Sequence, residues 1–230
     1  MPNPFPNRRG GFYFKDTVPY LSVTTVLTII NKPALVYWYG REVYRAMLVN
    51  PALGEQETLA MPYKTSDSAK ARGTTVHSIV EAYKQTGEVI ETVPDQYKGY
   101  AQAFYDFMKD HQIEIVEQEK TVFDEKNKIA GTLDMYAKIG GKNVVVDVKT
   151  GKDIYNEVTL QLSAYANMLR LEGKPVDEIA VLLLVTGEDG LPTGKYKFVT
   201  LTEDLDAFMA TKKLYEFSNR EKLLKVGYIK

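Results

Sequence analysis

Residues 131–151, GTLDMYAKIGGKNVVVDVKTG, constrain the fold more than any other stretch of the chain. Gly140-Gly141 is a two-residue turn signal, so 129–138 and 143–149 read as the strands of a hairpin. Val144, Val145 and Val146 in succession describe a strand covered on both faces. Residues two apart on a strand face the same way, so Asp147 and Lys149 project together while Val146 and Val148 point to the other side. Asp134, on the preceding strand, is near enough to meet them across the ladder.

The rest of the chain is read around this hairpin. Residues 1–20 carry Pro2, Pro4, Pro6, Gly10 and Gly11 and read as an irregular arm. Pro33 opens a helix that ALVYWYGREVYRAML continues, and 51–66, with Pro51, Gly54 and Pro62, reads as a loop. A second helix runs from Asp67, as N-cap, to Gly87, and a third from Asp95 to Asp110. Residues 113–123 alternate as strands do, and 155–172 form a helix ended by Gly173. Strands at 178–186 and 195–200 and a helix from Glu203 complete the order. The expected fold class is α/β (α+β), a mixed central β-sheet flanked by helices with a helical N-terminal extension. One domain is expected over 1–230, with 1–66 as arm and extension and 67–230 as core.

Composition excludes several chemistries. The chain has no cysteine, which removes disulfides, thiolate zinc sites and iron–sulfur clusters together. No apolar run reaches the roughly 20 residues that span a bilayer. The start, MPNPFPNRRGG, lacks the apolar core of a signal peptide, so a cytoplasmic protein and no membrane partner are expected. Neither a nucleophile elbow nor HExxH is present. A net charge of -1 does not advertise nucleic acid, but local basic patches matter more than the sum.

Two carboxylates beside a lysine suit phosphodiester hydrolysis. Carboxylates are hard ligands for Mg²⁺, which lowers the pKa of a bound water and offsets charge on the phosphate. A lysine orients that water or stabilises the developing charge. The bland alternative is a surface hairpin with exposed ion pairs worth little. Gln161 and Tyr165 share a helix face behind the DVKTG strand, as do His77 and Glu81 on the earlier helix. Glu119, on the strand before Asp134, is either a neighbour of the site or a solvated strand position. Tyr37, Trp38, Tyr39, Arg41 and Arg45, with Lys64, Lys70 and Arg72, supply aromatics and cations for a single-strand path, or else core and surface.

The set RGTTVH (72–77), GTLD (131–134), DVKTG (147–151) and QLSAY (161–165) resembles, in that order, the RecB-like branch of the PD-(D/E)xK nucleases. The segment LSVTTVL (21–27), followed by Pro33 and Trp38, is similar to phage-type members and to the mitochondrial genome maintenance exonuclease. The resemblance implies a restriction-endonuclease-like core and a Mg²⁺- or Mn²⁺-dependent DNA exonuclease acting on single-stranded or frayed ends. It implies His77, Asp134, Asp147 and the Val148 carbonyl as metal ligands, and Lys149 as the catalytic lysine. Gln161 and Tyr165 would support substrate and lysine, while Ser22, Thr24 and Thr25 contact the DNA backbone. Relatives with an iron–sulfur cluster need four cysteines, so the chain sits with the cluster-free members. It lacks GxxxxGK(S/T), so unwinding falls to a helicase or recombination partner.

Overall fold

The computed structural model describes residues 8–86 and 93–229. Contacts divide the chain into two compact units, Met1–Ile30 with Ile79–Lys230, and Asn31–Ser78.

In chain order the elements are strands β1 (Arg8–Arg9), β2 (Phe12–Lys15) and β3 (Val18–Ser22), then helices α1 (Val23–Val26), α2 (Pro33–Val49), α3 (Glu55–Thr86) and α4 (Asp95–His111). Strands β4 (Glu114–Asp124), β5 (Ile129–Ile139) and β6 (Lys142–Gly151) precede helix α5 (Glu157–Leu171). Strands β7 (Glu178–Thr186) and β8 (Pro192–Leu201) and helices α6 (Leu205–Ser218) and α7 (Arg220–Lys225) follow.

The larger unit is built on an eight-stranded mixed sheet in the order β1-β2-β3-β5-β6-β7-β8, with β4 also paired to β5. Strands β5 and β6 are antiparallel, whereas β6 and β7 are parallel and joined through α5. The expected mixed sheet flanked by helices is therefore what the chain forms. Val144, Val145 and Val146 are at most 1% exposed, as a β-branched run covered on both faces should be.

Helix α5 buries Val158, Leu162, Tyr165, Ala166 and Leu169 at helical spacing against one face of the sheet, in a core shared with Val145, Val181 and Phe208 of α6. Helix α4 covers the other face. Its Phe107 packs on Tyr196 and Phe198 of β8 with ring centres 5.5 and 5.0 Å apart, and Tyr100 shares a 2.7 Å hydrogen bond with Thr186. Among the described residues no helix is long and apolar enough to cross a membrane.

Two expectations are corrected. Residues 8–22 are three strands and not an irregular arm; Gly10 and Gly11, at φ 60° and 90°, turn β1 into β2, and β3 joins the sheet beside β5. The prolines at positions 2, 4 and 6, on which that reading leaned, lie outside the described residues. The segment 51–66 is no loop either: α3 begins at Glu55 and holds Pro62 inside it. A helix-interior proline costs one backbone hydrogen bond and about 3 kcal/mol, which made it read as a breaker. Asp67 is accordingly mid-helix, paired with Lys70 at 3.0 Å, and is no cap. Thr58, Thr65 and Ser68 hydroxyls donate to carbonyls four residues back at 3.0–3.2 Å, so the polar composition of this helix is satisfied locally.

A charged cluster ties β4 to the end of α5. Glu117 accepts from Lys174 at 2.5 and 2.6 Å and from Lys120 at 3.2 Å, and Lys120 also reaches Glu172 at 2.6 Å. Burial pushes the Glu117 carboxyl up, but the hydrogen bonds and charges of Lys174 and Lys120 outweigh it and hold the group below the usual range. A depressed carboxylate contributes stability that is complete above the unfolded value and lost as pH falls through the folded one. Thermal melts from pH 6 down should therefore fall more steeply for the wild type than for Glu117→Gln, with about 1 kcal/mol separating them at neutral pH. Parallel acid limbs would contradict this.

Candidate functional site

The site lies where two strands part. The β5–β6 ladder ends at the pair Met135–Val146, while the start of β5 pairs in parallel with β3 through Leu21–Ile129 and Ser22–Ala130. Strand β6 runs on beside β7 as far as Gly151. Asp134 stands at this fork, one residue past the last rung. Its carboxylate accepts the Val148 backbone N–H at 2.8 Å, supplying the acceptor that a continued ladder would have supplied.

Asp147 follows on β6 and is 1% exposed. Its Oδ1 accepts from Gln161 Nε2 at 2.8 Å, and its Oδ2 pairs with Lys149 Nζ at 2.7 Å. A buried carboxylate is stable only with such partners. The Lys149 side chain keeps 37% of its exposure, while its ammonium is held against the buried Asp147 carboxylate. Burial alone would lower the Lys149 pKa, but Asp147 and Asp134, the hydrogen bond to Asp147 and the charge of Glu157 raise it. The lysine stays protonated.

Helix α5 carries the supporting pair. Gln161 lies within 3.4 Å of the Tyr165 hydroxyl, so one amide bridges Tyr165 and Asp147. Tyr165 is buried, and burial, then the nearby Tyr13, Asp134 and Asp147, push its phenol well above the usual range. Its ring lies on Gly131 of β5. A Cβ at position 131 would sit 2.4 Å from the ring's Cε1, so only glycine lets helix and strand come this close.

Glu119 of β4 adds a third carboxylate, with an oxygen within 4.8 Å of one from Asp134. The residue has φ 46° between the rungs Gln118–Met135 and Lys120–Leu133. A left-handed glutamate costs about 1–3 kcal/mol, and such strain gathers at functional sites.

Ser22 is buried, its hydroxyl 2.9 Å from that of Thr24, and the Arg8 guanidinium donates to Thr24 at 3.0 Å and lies 5.4 Å from the Tyr13 ring centre. Tyr13 in turn meets Thr132, beside Gly131, at 3.2 Å. Arg8 is the functional candidate that reading the sequence missed; an Arg-Arg pair in a segment read as an arm carried no signal. Thr25 points elsewhere, against the Gly10–Gly11 turn.

Asp134, Asp147, Lys149, Gln161 and Tyr165 are thus gathered at one fork, with Ser22 at the end of the neighbouring β3 and Thr24 in the α1 turn that follows it. Trp38, Arg72 and His77 belong to the 31–78 unit. There Trp38 is half-buried, its ring edge-on to Tyr39 at 5.1 Å, and Tyr39 meets Tyr63 at 5.3 Å. Arg72 and His77 are half-buried on α3. Tyr37 is 68% exposed with Arg41 over its ring, and Arg45 pairs with Glu42. Lys64 and Lys70 are exposed in the same unit, and Glu81 is exposed in the larger one.

No protein-family model matches the chain, and no curated protein matches it significantly. Solved structures with similar folds include a protein of Eubacterium rectale named as a putative exonuclease, with 16% identity over 92% of this chain and 83% of that one, at a TM-score of 0.49. The alkaline exonuclease of Laribacter hongkongensis aligns at 11% identity over 91% and 90%, at a TM-score of 0.47. A phage-related exonuclease of Haemophilus somnus aligns at 12% identity over 64% and 82%, at 0.36. Likenesses at these identities and TM-scores bear on neither the activity nor the residues of this chain.

Proposed function

We propose that the chain is a metal-dependent DNA exonuclease of the PD-(D/E)xK superfamily, in its RecB-like and phage-type branch. It hydrolyses phosphodiester bonds at single-stranded or frayed ends, in recombination, repair or phage DNA metabolism, and residues 1–230 act as one nuclease domain. The observation that carries the reading is the fork of β5 and β6, where Asp134, which accepts the Val148 N–H, lies with Asp147 around Lys149.

The donor set fits a hard divalent cation, Mg²⁺ or Mn²⁺: carboxylates from Asp134 and Asp147, the Val148 carbonyl, and Glu119 close to Asp134. His77 joins them on the strength of the motif order in the sequence. Such an ion, when bound, lowers the pKa of water and offsets charge on the scissile phosphate.

The chain's own residues do the rest. Lys149, protonated and braced by Asp147, presents a positive charge to the oxygen on which charge develops. Gln161 fixes the orientation of Asp147, and Tyr165, locked on Gly131, fixes Gln161. The hydroxyls of Ser22 and Thr24, with Arg8, hold phosphates of the incoming strand; Thr25, Trp38 and Arg72 contact DNA further along.

The test is purified protein with end-labelled linear and with circular single-stranded DNA, in Mg²⁺, Mn²⁺ or EDTA. Metal-dependent loss of the linear form alone is expected. Cutting of the circle would convert the reading to a structure-specific endonuclease, and intact DNA in both metals would leave a binding module.

A further inference from the structure

We infer that a cleft along the C-terminal helices carries the unpaired strand beyond the nuclease site, an inference that rests on the nuclease reading above. An open cleft of about 690 Å³ separates the Gly10–Gly11 turn, Thr25 and Thr28 from Tyr215 and Lys222. At Ser218 and Asn219 it meets a second cleft of about 660 Å³ bordered by Arg220, Lys222 and Lys225. Thr25, in the wall of the first cleft, follows Thr24, to which Arg8 donates at 3.0 Å.

The walls have the chemistry of a nucleic-acid path. Arg220, Lys222 and Lys225 line the clefts and are exposed, against one exposed acid, Glu221. Glu216 is engaged by Lys212 at 2.6 Å and by Tyr228 at 2.9 Å. The cleft walls thus carry a positive surplus of two on a chain whose total is -1. Lys222 sits where the clefts join, its ammonium 5.8 Å from the centre of the buried Phe12 ring. Phe217 is 82% exposed at the rim, placed to stack a base and not to pack a core. On the opposite wall Gly11, at φ +90°, packs directly on Thr25, whose Oγ1 a Cβ would approach to 2.9 Å. Cations that track a backbone, with an aromatic beside them, select single-stranded DNA over a duplex or an acidic peptide.

The test is anisotropy of labelled oligothymidylates of about 8 and about 30 nucleotides, with Ca²⁺ in place of Mg²⁺. Wild type should bind the longer strand about tenfold more tightly or better. Combining Arg220→Glu, Lys222→Glu and Lys225→Glu should weaken the longer strand by about tenfold and the shorter by less than about twofold. It should also reduce the salt slope of the longer by about two, from three lost phosphate contacts. Phe217→Ala, at a side chain too exposed to matter for folding, should weaken the longer strand alone. Reversal of Lys195 and Lys197, exposed on β8, should change neither. Equal weakening of both lengths, or an equal effect of the β8 pair, would overturn the cleft. Length-dependent binding without any cleavage would uphold it and sink the nuclease reading; cleavage with length-independent binding would do the reverse.

Discussion

Asp134→Asn is expected to slow DNA cleavage by about a thousandfold or more, roughly 4 kcal/mol of transition-state stabilisation, while the metal-free protein melts within about 1 kcal/mol of wild type. The two halves of this expectation have different causes. An amide oxygen at position 134 still accepts the Val148 N–H, so the fork of β5 and β6 keeps its shape. What disappears is a full negative charge and a hard ligand. Repulsion from Glu119, within 4.8 Å, is relieved as attraction to Lys149 is lost, so the electrostatic balance of the fold changes little. Calorimetric titration with Mn²⁺ should show affinity falling by about tenfold or more. A variant that unfolds would make Asp134 a structural pin, and one that still cuts would place the chemistry elsewhere.

Gly131→Ala is expected to cost about 3 kcal/mol and to depress cleavage well beyond what the lower stability explains. The added methyl would lie 2.4 Å from Cε1 of Tyr165, whose ring is enclosed and has nowhere to withdraw. Displacing that ring moves its hydroxyl away from Gln161, and through Gln161 loosens Asp147. Substituting Tyr165→Leu alongside Gly131→Ala should recover about 1–2 kcal/mol of stability, a coupling that a double-mutant cycle measures. It should not recover cleavage, because the hydroxyl that steadies Gln161 is gone. Gly131→Ala within about 0.5 kcal/mol of wild type would remove the glycine from the account.

Most of the sheet was legible because its signals are local. The valine run, the Gly140-Gly141 turn and the strand parity of Asp147 and Lys149 each need only a few neighbours, and so does the i, i+4 pairing of Gln161 with Tyr165. The fork was not legible. It arises because β3 takes the start of β5 while β6 takes the end, and no local pattern says which strand occupies which length of an edge. Gly131 reads as one glycine among 16 until the ring from 34 residues later is laid on it. Glu119 carried no sign of its positive φ, since glutamate has no preference for that conformation. Arg8 was hidden by the prolines before it, and the start of α3 by Pro51 and Gly54 just ahead of it and Pro62 inside it, all of which read locally as breakers.

Single-turnover cleavage of end-labelled linear single-stranded DNA by wild-type protein and Lys149→Ala, in Mg²⁺ and in EDTA, decides whether Lys149 and a metal at this fork cut DNA. Wild-type cleavage that needs the metal is expected, with a loss of about a thousandfold in the variant while DNA is still bound and the fold retained. Equal cleavage by the two proteins, or cleavage that survives EDTA, would contradict this expectation.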